Sequence, residues 1–158
     1  LRPIVREEFE YVAPYYQRHK YDGTITNSIA YPLTRALYGA RVRQPIGGDF
    51  GFSGRLAEHY LDKHVWESDV ARFGIDIWMT TEALTCGARI CQSFLGAKLH
   101  NPKDPAADLS SMLAEVAGAL FGLMEVCSTR ILPSTGAGSP VEPITSCEAF
   151  VRSIFALM

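Results

Sequence analysis

FGIDIWMTTEALTCGARICQSFLGAKLH, residues 73–100, contains both kinds of secondary structure on which the fold depends. Between Gly74 and Gly87, apolar and threonine side chains recur at helical spacing, which predicts a helix from Asp76 to Thr85. From Ala88 to His100, side chains alternate between two faces, which predicts a strand. A helix that leads directly into a strand indicates a mixed α/β fold.

The segments on either side of this unit add a further strand and more helices. Aromatic and β-branched residues predict a strand over Phe9 to Tyr16. A helix capped by Ser53 is predicted to bury Leu56, Tyr60 and Leu61. The additional helices are predicted from Thr26 or Asn27 to Gly39, from Ser53 to about His64, from Asp104 or Asp108 to Cys127, and from Ser146 to Met158. The chain is therefore expected to be helix-rich, with about five helices and two or three short strands.

The composition is that of an ordinary globular protein. Apolar residues make up 47% of the 158 residues, and charged residues make up 20%. Fifteen Lys and Arg side chains stand against 17 Asp and Glu, without a basic cluster, which argues against nucleic acid as a partner. No apolar run reaches the roughly 18 residues that a membrane-spanning helix needs, so no membrane span is expected.

Cysteine usage and the N-terminal sequence predict a cytoplasmic location. The four cysteines have neither the CxxC spacing nor the density of a secreted disulfide-bonded domain, which predicts reduced thiols. No apolar signal region of the secretory kind precedes the first predicted strand. The chain starts at Leu1 without an initiator Met, and it is interpreted as a fragment of a longer protein.

Few polar residues stand out as carriers of chemistry, because the chain has no Walker loop, GxGxxG turn, GxSxG elbow, HExxH helix or paired-cysteine zinc pattern. Asp49 lies in the glycine-rich segment Gln44 to Gly54, where the backbone must turn tightly or approach a ligand closely. Asp76 lies in the first turn of a predicted helix, and His100 ends a predicted strand beside Asn101. Each has a structural alternative: an ordinary turn at Asp49, a carboxylate favoured by the helix dipole at Asp76, and a capping or packing histidine at His100.

Four blocks of sequence occur in order along the chain. They are DGTITNSIAYPL at Asp22 to Leu33, RQPIGGDFGFS at Arg43 to Ser53, FGIDIWMTTEAL at Phe73 to Leu84, and LGAKLHNPKDP at Leu95 to Pro105. Together they resemble the C-terminal part of bacterial retaining glycosyltransferases of the GT-A type, in particular the glucosyl-3-phosphoglycerate synthases and the related mannosylglycerate-forming enzymes. The resemblance covers about Tyr15 to Met124. It implies a partial GT-A nucleotide-diphospho-sugar transferase fold, with residues 1–130 as the acceptor-side lobe, 131–145 as a loop and 146–158 as a C-terminal helix.

The resemblance implies that the complete protein transfers a hexose from a nucleotide sugar to a small polar acceptor of the glycerate or phosphoglycerate kind. It implies a divalent metal, Mg²⁺ or Mn²⁺, with His100 as a ligand. Asp76 is implied as the catalytic residue that holds sugar hydroxyls while charge develops at the anomeric carbon. The donor sugar and acceptor are expected to contact Gly47, Gly48, Asp49 and Asn101.

A turn formed by Thr24, Thr26 and Asn27 is implied as the acceptor-binding element, where hydroxyls and backbone amides hold a carboxylate or phosphate. The phosphoglycerate enzymes carry an arginine where this chain has Thr24, so a bidentate phosphate partner is missing there. The nearby basic segment Arg18 to Lys20 is a candidate replacement.

A second departure from the family is the absence of an Asp-x-Asp metal motif, so this chain alone is expected to be inactive. Two other classes of function remain open from the residues themselves. The apolar stripe Leu109 to Cys127 is compatible with a non-catalytic interaction domain or a homo-oligomer, for which an exposed stripe is expected. A small-molecule binding module is expected to have a closed apolar pocket instead.

Overall fold

The computed structural model describes residues 1–18, 22–71, 74–98 and 110–131. These residues form five α-helices and a three-stranded mixed sheet, so the predicted helix-rich, mixed α/β class is confirmed. The helices are α1 (Arg2–Glu7), α2 (Tyr31–Tyr38), α3 (Gly54–Leu61), α4 (Ile75–Thr85) and α5 (Ser110–Ile131), and the strands are β1 (Tyr11–Gln17), β2 (Gly51–Phe52) and β3 (Ile90–Ala97). None of these helices is long and apolar enough to cross a membrane.

The sheet has the order β2-β1-β3, with β1 antiparallel to β2 and parallel to β3. The first four residues of β1, Tyr11 to Pro14, are all buried, as expected for a central strand. Tyr15 pairs with Phe94 and Gln17 with Ala97, so the C-terminal ends of β1 and β3 lie side by side. Polar side chains that follow these two strands are therefore brought to one edge of the sheet.

Helix α3 begins as predicted, because the Ser53 hydroxyl accepts a hydrogen bond of 3.2 Å from the backbone N–H of Leu56. Leu56 and Tyr60 are buried, but Leu61 is 71% exposed, so its predicted burial is wrong. Leu61 follows Tyr60 by one residue and therefore points about 100° away from the buried stripe. The helix also ends at Leu61 and not near His64.

The helix predicted from Thr26 or Asn27 to Gly39 is present, but its first turn is a π-helix over Thr26–Ala30 that runs into α2. Its N-cap is Ile25, which makes no side-chain cap bond, so the predicted cap by Thr26 or Asn27 is wrong. Gly39 ends α2 with φ 67°, a left-handed conformation that glycine adopts without strain. Pro32 is tolerated because it falls in the first turn of α2.

The apolar stripe of α5 packs inside the chain, since Val116 and Leu120 are buried against α4, α2 and the π-helix. A Cβ on Gly74 would lie 2.7 Å from the Ala119 Cβ, so α5 approaches the N-terminal end of α4 very closely. Val116 and Leu120 of the stripe are thus used by the fold itself, whereas Leu113 is 38% exposed. Residues 99–109, where this helix was predicted to begin, and the predicted loop and final helix over 132–158 lie outside the described residues.

Sequence reasoning also failed to predict α1 and the two-residue strand β2. Helix α1 is only six residues long, and its Pro3 falls at a position that suits a helix start. Strand β2 exists because Gly51 and Phe52 pair with Val12 and Tyr11 across the sheet. A contact between residues so far apart in sequence leaves no local pattern.

Glu82 on α4 is a buried carboxylate with two hydrogen-bonding partners on or just after α3. Its Oε1 lies 2.8 Å from His59 Nε2 and 2.8 Å from Lys63 Nζ. Burial by itself raises the pKa of Glu82, but the hydrogen bonds from Lys63 and His59 outweigh burial and hold that pKa below its usual range. The pair of helices is therefore joined by a buried, charge-assisted contact.

Glu82→Gln is expected to lower the free energy of unfolding at pH 7 by about 1–3 kcal/mol, because a charge-assisted hydrogen-bond acceptor is lost. A carboxyl whose pKa falls on folding contributes stability above its unfolded pKa, near 4.5, and loses it as pH falls through the folded pKa. Urea unfolding from pH 7 to pH 3 should therefore show a shallower acid decline in this variant. Glu58→Gln on the exposed face of α3 is the control; equal acid declines in wild type and Glu82→Gln would contradict the assignment.

Candidate functional site

The glycine-rich segment lies over β1 and is held there by hydrogen bonds from neighbouring elements. The Tyr11 hydroxyl donates to the Thr80 hydroxyl (2.8 Å), which in turn donates to the carbonyl oxygen of Pro45 (2.7 Å). The Gln44 amide donates to the carbonyl oxygen of Tyr16 (3.1 Å). Strand β1, helix α4 and the loop before Gly47 are therefore fixed relative to one another.

Gly47 and Gly48 are both required by their surroundings. A Cβ on Gly47 would lie 2.3 Å from Pro14 Cγ, so only glycine fits over the buried proline. Gly48 has φ +82°, and a Cβ there would lie 3.7 Å from Asp76 Oδ2. The bare backbone at Gly48 therefore borders directly on the Asp76 carboxylate.

Asp49 is held by two donors from the ends of the parallel strands. The Tyr16 hydroxyl donates a short hydrogen bond to its Oδ2, and Lys98 Nζ donates to the same oxygen at 2.8 Å. Lys98 also donates to the carbonyl oxygen of Gly47 at 3.1 Å. The hydrogen bonds from Lys98 and Tyr16 hold the pKa of Asp49 below its usual range, so this carboxylate is charged and fixed.

Asp76 has the opposite environment. It lies in the first turn of α4, as predicted, but desolvation by burial raises its pKa, and the charge of Asp49 adds to this while Lys98 opposes it. Within the described residues, no donor makes a hydrogen bond to its carboxylate. A half-buried carboxylate without a donor beside a bare glycine backbone is well suited to accept hydrogen bonds from a ligand.

Tyr16 joins Asp49 to two cations. Lys98 Nζ lies 4.7 Å from the centroid of its ring, and the Arg18 guanidinium carbon lies 5.7 Å from it. Desolvation, the hydrogen bond to Asp49 and the charge of Asp49 raise the pKa of Tyr16 to about 12. The phenol is therefore a neutral donor at physiological pH.

Asp49→Asn is expected to lower the pKa of Tyr16 from about 12 toward the ordinary 10, because a nearby negative charge that disfavours the phenolate is removed. Burial of the ring remains, so the fall should be partial. The measurement is an NMR titration of the tyrosine Cζ resonances, with exposed Glu67→Gln as the control. An unchanged Tyr16 pKa would show that Asp49 and Tyr16 are not in contact in solution.

A cavity of about 430 Å³ opens beside this cluster. Its walls include the backbone of Gly48 and the side chain of Asp49, together with residues of β1 and β3. The other lining residues are Leu1, Val12, Ala13, Pro14, Phe50, Gly51, Ser93 and Leu95. The volume is in the range of small-molecule sites, and one wall carries a fixed negative charge.

The predicted acceptor turn lies next to Arg18. Thr24 and Asn27 are exposed, whereas Thr26 is buried. Gly23 lies close to both Arg18 and Asn27. A Cβ on Gly23 would lie 3.5 Å from Arg18 Nη1 and 3.7 Å from Asn27 Nδ2. Through Arg18 and Tyr16, this turn is connected to the Asp49 cluster.

Four of the predicted site residues, Gly47, Gly48, Asp49 and Asp76, therefore meet at one place. His100 and Asn101 lie outside the described residues. Sequence reasoning missed Tyr16 and Lys98 as members of the cluster. Lys98 had a usable signal, since it shares a face of the predicted strand with His100; Tyr16 had none, because its contact with Asp49 spans the sheet edge.

The described residues do not by themselves form a metal site. No group of three or more His, Cys, Asp or Glu side chains among them is arranged to hold an ion. Asp49 Oδ2 already accepts hydrogen bonds from Tyr16 and Lys98.

No protein-family model matches the chain, and no curated protein matches it significantly.

Proposed function

We propose that this chain is the acceptor-side part of a glycosyltransferase that moves a hexose from a nucleotide sugar to a small polar acceptor such as glycerate or phosphoglycerate. The observation that carries the proposal is the position of Asp76 beside the bare backbone of Gly48, at 3.7 Å from where a Cβ would be. Asp49, fixed by Tyr16 and Lys98, completes one wall of the adjoining cavity.

Each of these groups has a role in holding a sugar. The carboxylate of Asp76 accepts hydrogen bonds from sugar hydroxyls, and because it is half-buried, those bonds are strong relative to bonds in water. Gly48 allows the ring to approach the backbone, since no side chain intervenes. The negative charge of Asp76 favours the positive charge that develops at the anomeric carbon as the bond to the leaving diphosphate breaks.

The proposal includes a divalent metal, Mg²⁺ or Mn²⁺, with His100 as the ligand that this chain contributes. When bound, such an ion neutralises the diphosphate leaving group. Lys98 is two residues before His100, and its ammonium group is directed to Asp49 and Gly47 O, which supports a location of this strand end beside the cavity.

We also propose a cytoplasmic setting. Among the described residues, Cys86 is a free thiol, which is typical of a reducing compartment. Nucleic acid is not a proposed partner, because the formal charge is −2 and Lys and Arg are not clustered in the sequence.

The test is a hexose-transfer assay on the protein with any upstream sequence that its gene encodes. Nucleotide sugars are supplied with glycerate or 3-phosphoglycerate and with Mn²⁺ or EDTA. Transfer is expected to need the metal and to be lost in His100→Ala, whereas His64→Ala, which changes an exposed histidine, should leave it intact. Absence of transfer from every nucleotide sugar, or full activity of His100→Ala, would contradict the proposal.

A second function, a non-catalytic interaction or oligomerisation domain, is favoured by one observation. Tyr15 and Phe94 place their rings 6.0 Å apart and are 45% and 43% exposed. The α5 stripe is not available for this role at Val116 and Leu120, which are buried within the chain. Light scattering on wild type and Phe94→Ser separates the two functions, because only an assembly at this patch loses mass in the variant while transfer is unchanged.

A further inference from the structure

A second cavity, of about 380 Å³, lies at the end of the sheet away from Asp49. Its charged and polar lining residues are Glu8, Glu10, Ser53, Arg55 and Arg89. Glu10 and Arg89 immediately precede β1 and β3, whereas Tyr16 and Lys98, which hold Asp49, lie at or just after the other ends of these strands. The volume is in the range of small-molecule sites, and the position separates this cavity from the proposed sugar site.

Arg55, Arg89 and Ser53 bring hydrogen-bond donors to this cavity that the fold leaves largely unused. A guanidinium has five N–H donors. Among the described residues, the Arg55 guanidinium donates one hydrogen bond, to Glu10 Oε1, and the Arg89 guanidinium donates one, to Glu8 Oε2 at 3.4 Å. The Ser53 hydroxyl accepts a hydrogen bond from the N–H of the third residue after it and donates none to a described residue. The cavity therefore has spare donors from three side chains.

The two carboxylates at the cavity differ in how firmly they are held. Glu10 is only 13% exposed, and its two oxygens accept hydrogen bonds from Arg55 and, at 3.2 Å, from the backbone N–H of Arg89. Glu8 is 90% exposed, and its contact with Arg89 is near the limit of hydrogen-bonding distance, so this contact contributes little energy. The Phe9 ring, whose centroid lies 5.1 Å from the guanidinium carbon, orients Arg89 without using any of its N–H donors. Arg89 is thus fixed in orientation, while its carboxylate partner is easily displaced.

We propose that this cavity is a second ligand site, which binds a small oxyanion, a carboxylate or a phosphate group, through Arg55, Arg89 and Ser53. The planar guanidinium groups offer pairs of N–H donors that match the oxygens of such a group. The ligand replaces the Glu8 carboxylate at Arg89, while Glu10 stays in place and holds Arg55. The site does not depend on the proposed transferase function, because none of its residues belongs to the cluster around Asp49.

The test is an NMR titration of the full chain with inorganic phosphate and with acetate, at an ionic strength held constant with NaCl. The Nε–H signals of Arg55 and Arg89 and the backbone amide of Ser53 should shift. Arg89→Gln is expected to weaken binding at least about tenfold, and Arg89→Lys should recover only part of the loss. Arg41→Gln, which removes an exposed arginine elsewhere, should bind as the wild type does.

Glu8→Gln supplies a test that misfolding cannot imitate, because the variant is expected to bind more tightly than the wild type. Removing the competing carboxylate should raise affinity by up to about fivefold, the worth of an exposed ion pair. Weaker binding by Glu8→Gln, unchanged binding by Arg89→Gln, or an equal loss in Arg41→Gln would each overturn the site. So would the absence of any shift beyond that caused by NaCl alone. Binding of either anion supports the site, and the tighter of the two identifies the oxyanion as a phosphate or a carboxylate.

Discussion

Replacing Asp76 by asparagine is expected to lower hexose transfer about 10²–10³-fold while raising the free energy of unfolding at pH 7. The expected loss of activity follows from the proposed role of Asp76, because the substitution removes the negative charge that is proposed to lie next to the anomeric carbon. The gain in stability follows from the environment of the carboxyl, which is half-buried and receives no hydrogen bond from a described residue. If both effects are observed, Asp76 lowers the stability of the fold but is needed for activity. Its presence would then be explained by function and not by the fold.

The sign of the stability change is set by the pKa of Asp76, which burial raises above its ordinary value of 3.8. A carboxyl with a higher pKa in the folded state holds its proton more tightly there, so it favours folding below its unfolded pKa. That contribution is lost as pH rises through the folded pKa, and above it the buried charge destabilises the fold. Asparagine cannot ionise, so the difference in stability between variant and wild type should grow from pH 3 to pH 7.

Urea unfolding at several pH values measures the stability, and the transfer assay measures the activity. Glu67→Gln, an exposed neutralisation, should change neither. Wild-type transfer rates in Asp76→Asn would remove Asp76 from the reaction. A loss of stability at pH 7 would instead reveal a structural partner that the carboxylate needs.

Elements with strong local signals were the ones that could be predicted. Helix α4 was located from its spacing and flanking glycines within one residue of its observed start, and Ser53 was identified as a cap from its position before an apolar run. Strand β1 was recognised from its residue types, and it begins two residues later than predicted, at Tyr11 and not at Phe9. In each case the information lies within a few residues of the element.

Features that depend on distant contacts could not be predicted. The π-helix at Thr26–Ala30 is a local change of hydrogen bonding that helical periodicity does not reveal. The donors on Asp49 come from Tyr16 and Lys98, 33 and 49 residues away, and they meet only because β1 and β3 are adjacent and parallel. The glycine-rich sequence could indicate that another group packs closely against the backbone at Gly47, but it could not show that this group is the Pro14 ring.

Gly47→Ala is expected to lower the free energy of unfolding by about 1–3 kcal/mol, because the new methyl group cannot be accommodated. Its Cβ would lie 2.3 Å from Pro14 Cγ and 3.2 Å from the carbonyl oxygen of Gln44. Pro14 is fully buried in the central strand and its ring is rigid, so the loop must move instead. Since Lys98 holds this loop through the carbonyl oxygen of Gly47, hexose transfer should fall as well.

Gly54→Ala is the matched control, because no atom lies within 4 Å of the new methyl group. Gly54 begins α3, so alanine there should leave stability unchanged or raise it by up to about 1 kcal/mol through helix propensity. The comparison decides why Gly47 is a glycine. If Gly47→Ala keeps full stability and loses only transfer, the bare backbone serves the substrate; if stability and transfer fall together, contact with Pro14 is what excludes a side chain, and Gly48 alone remains as the glycine that a sugar requires.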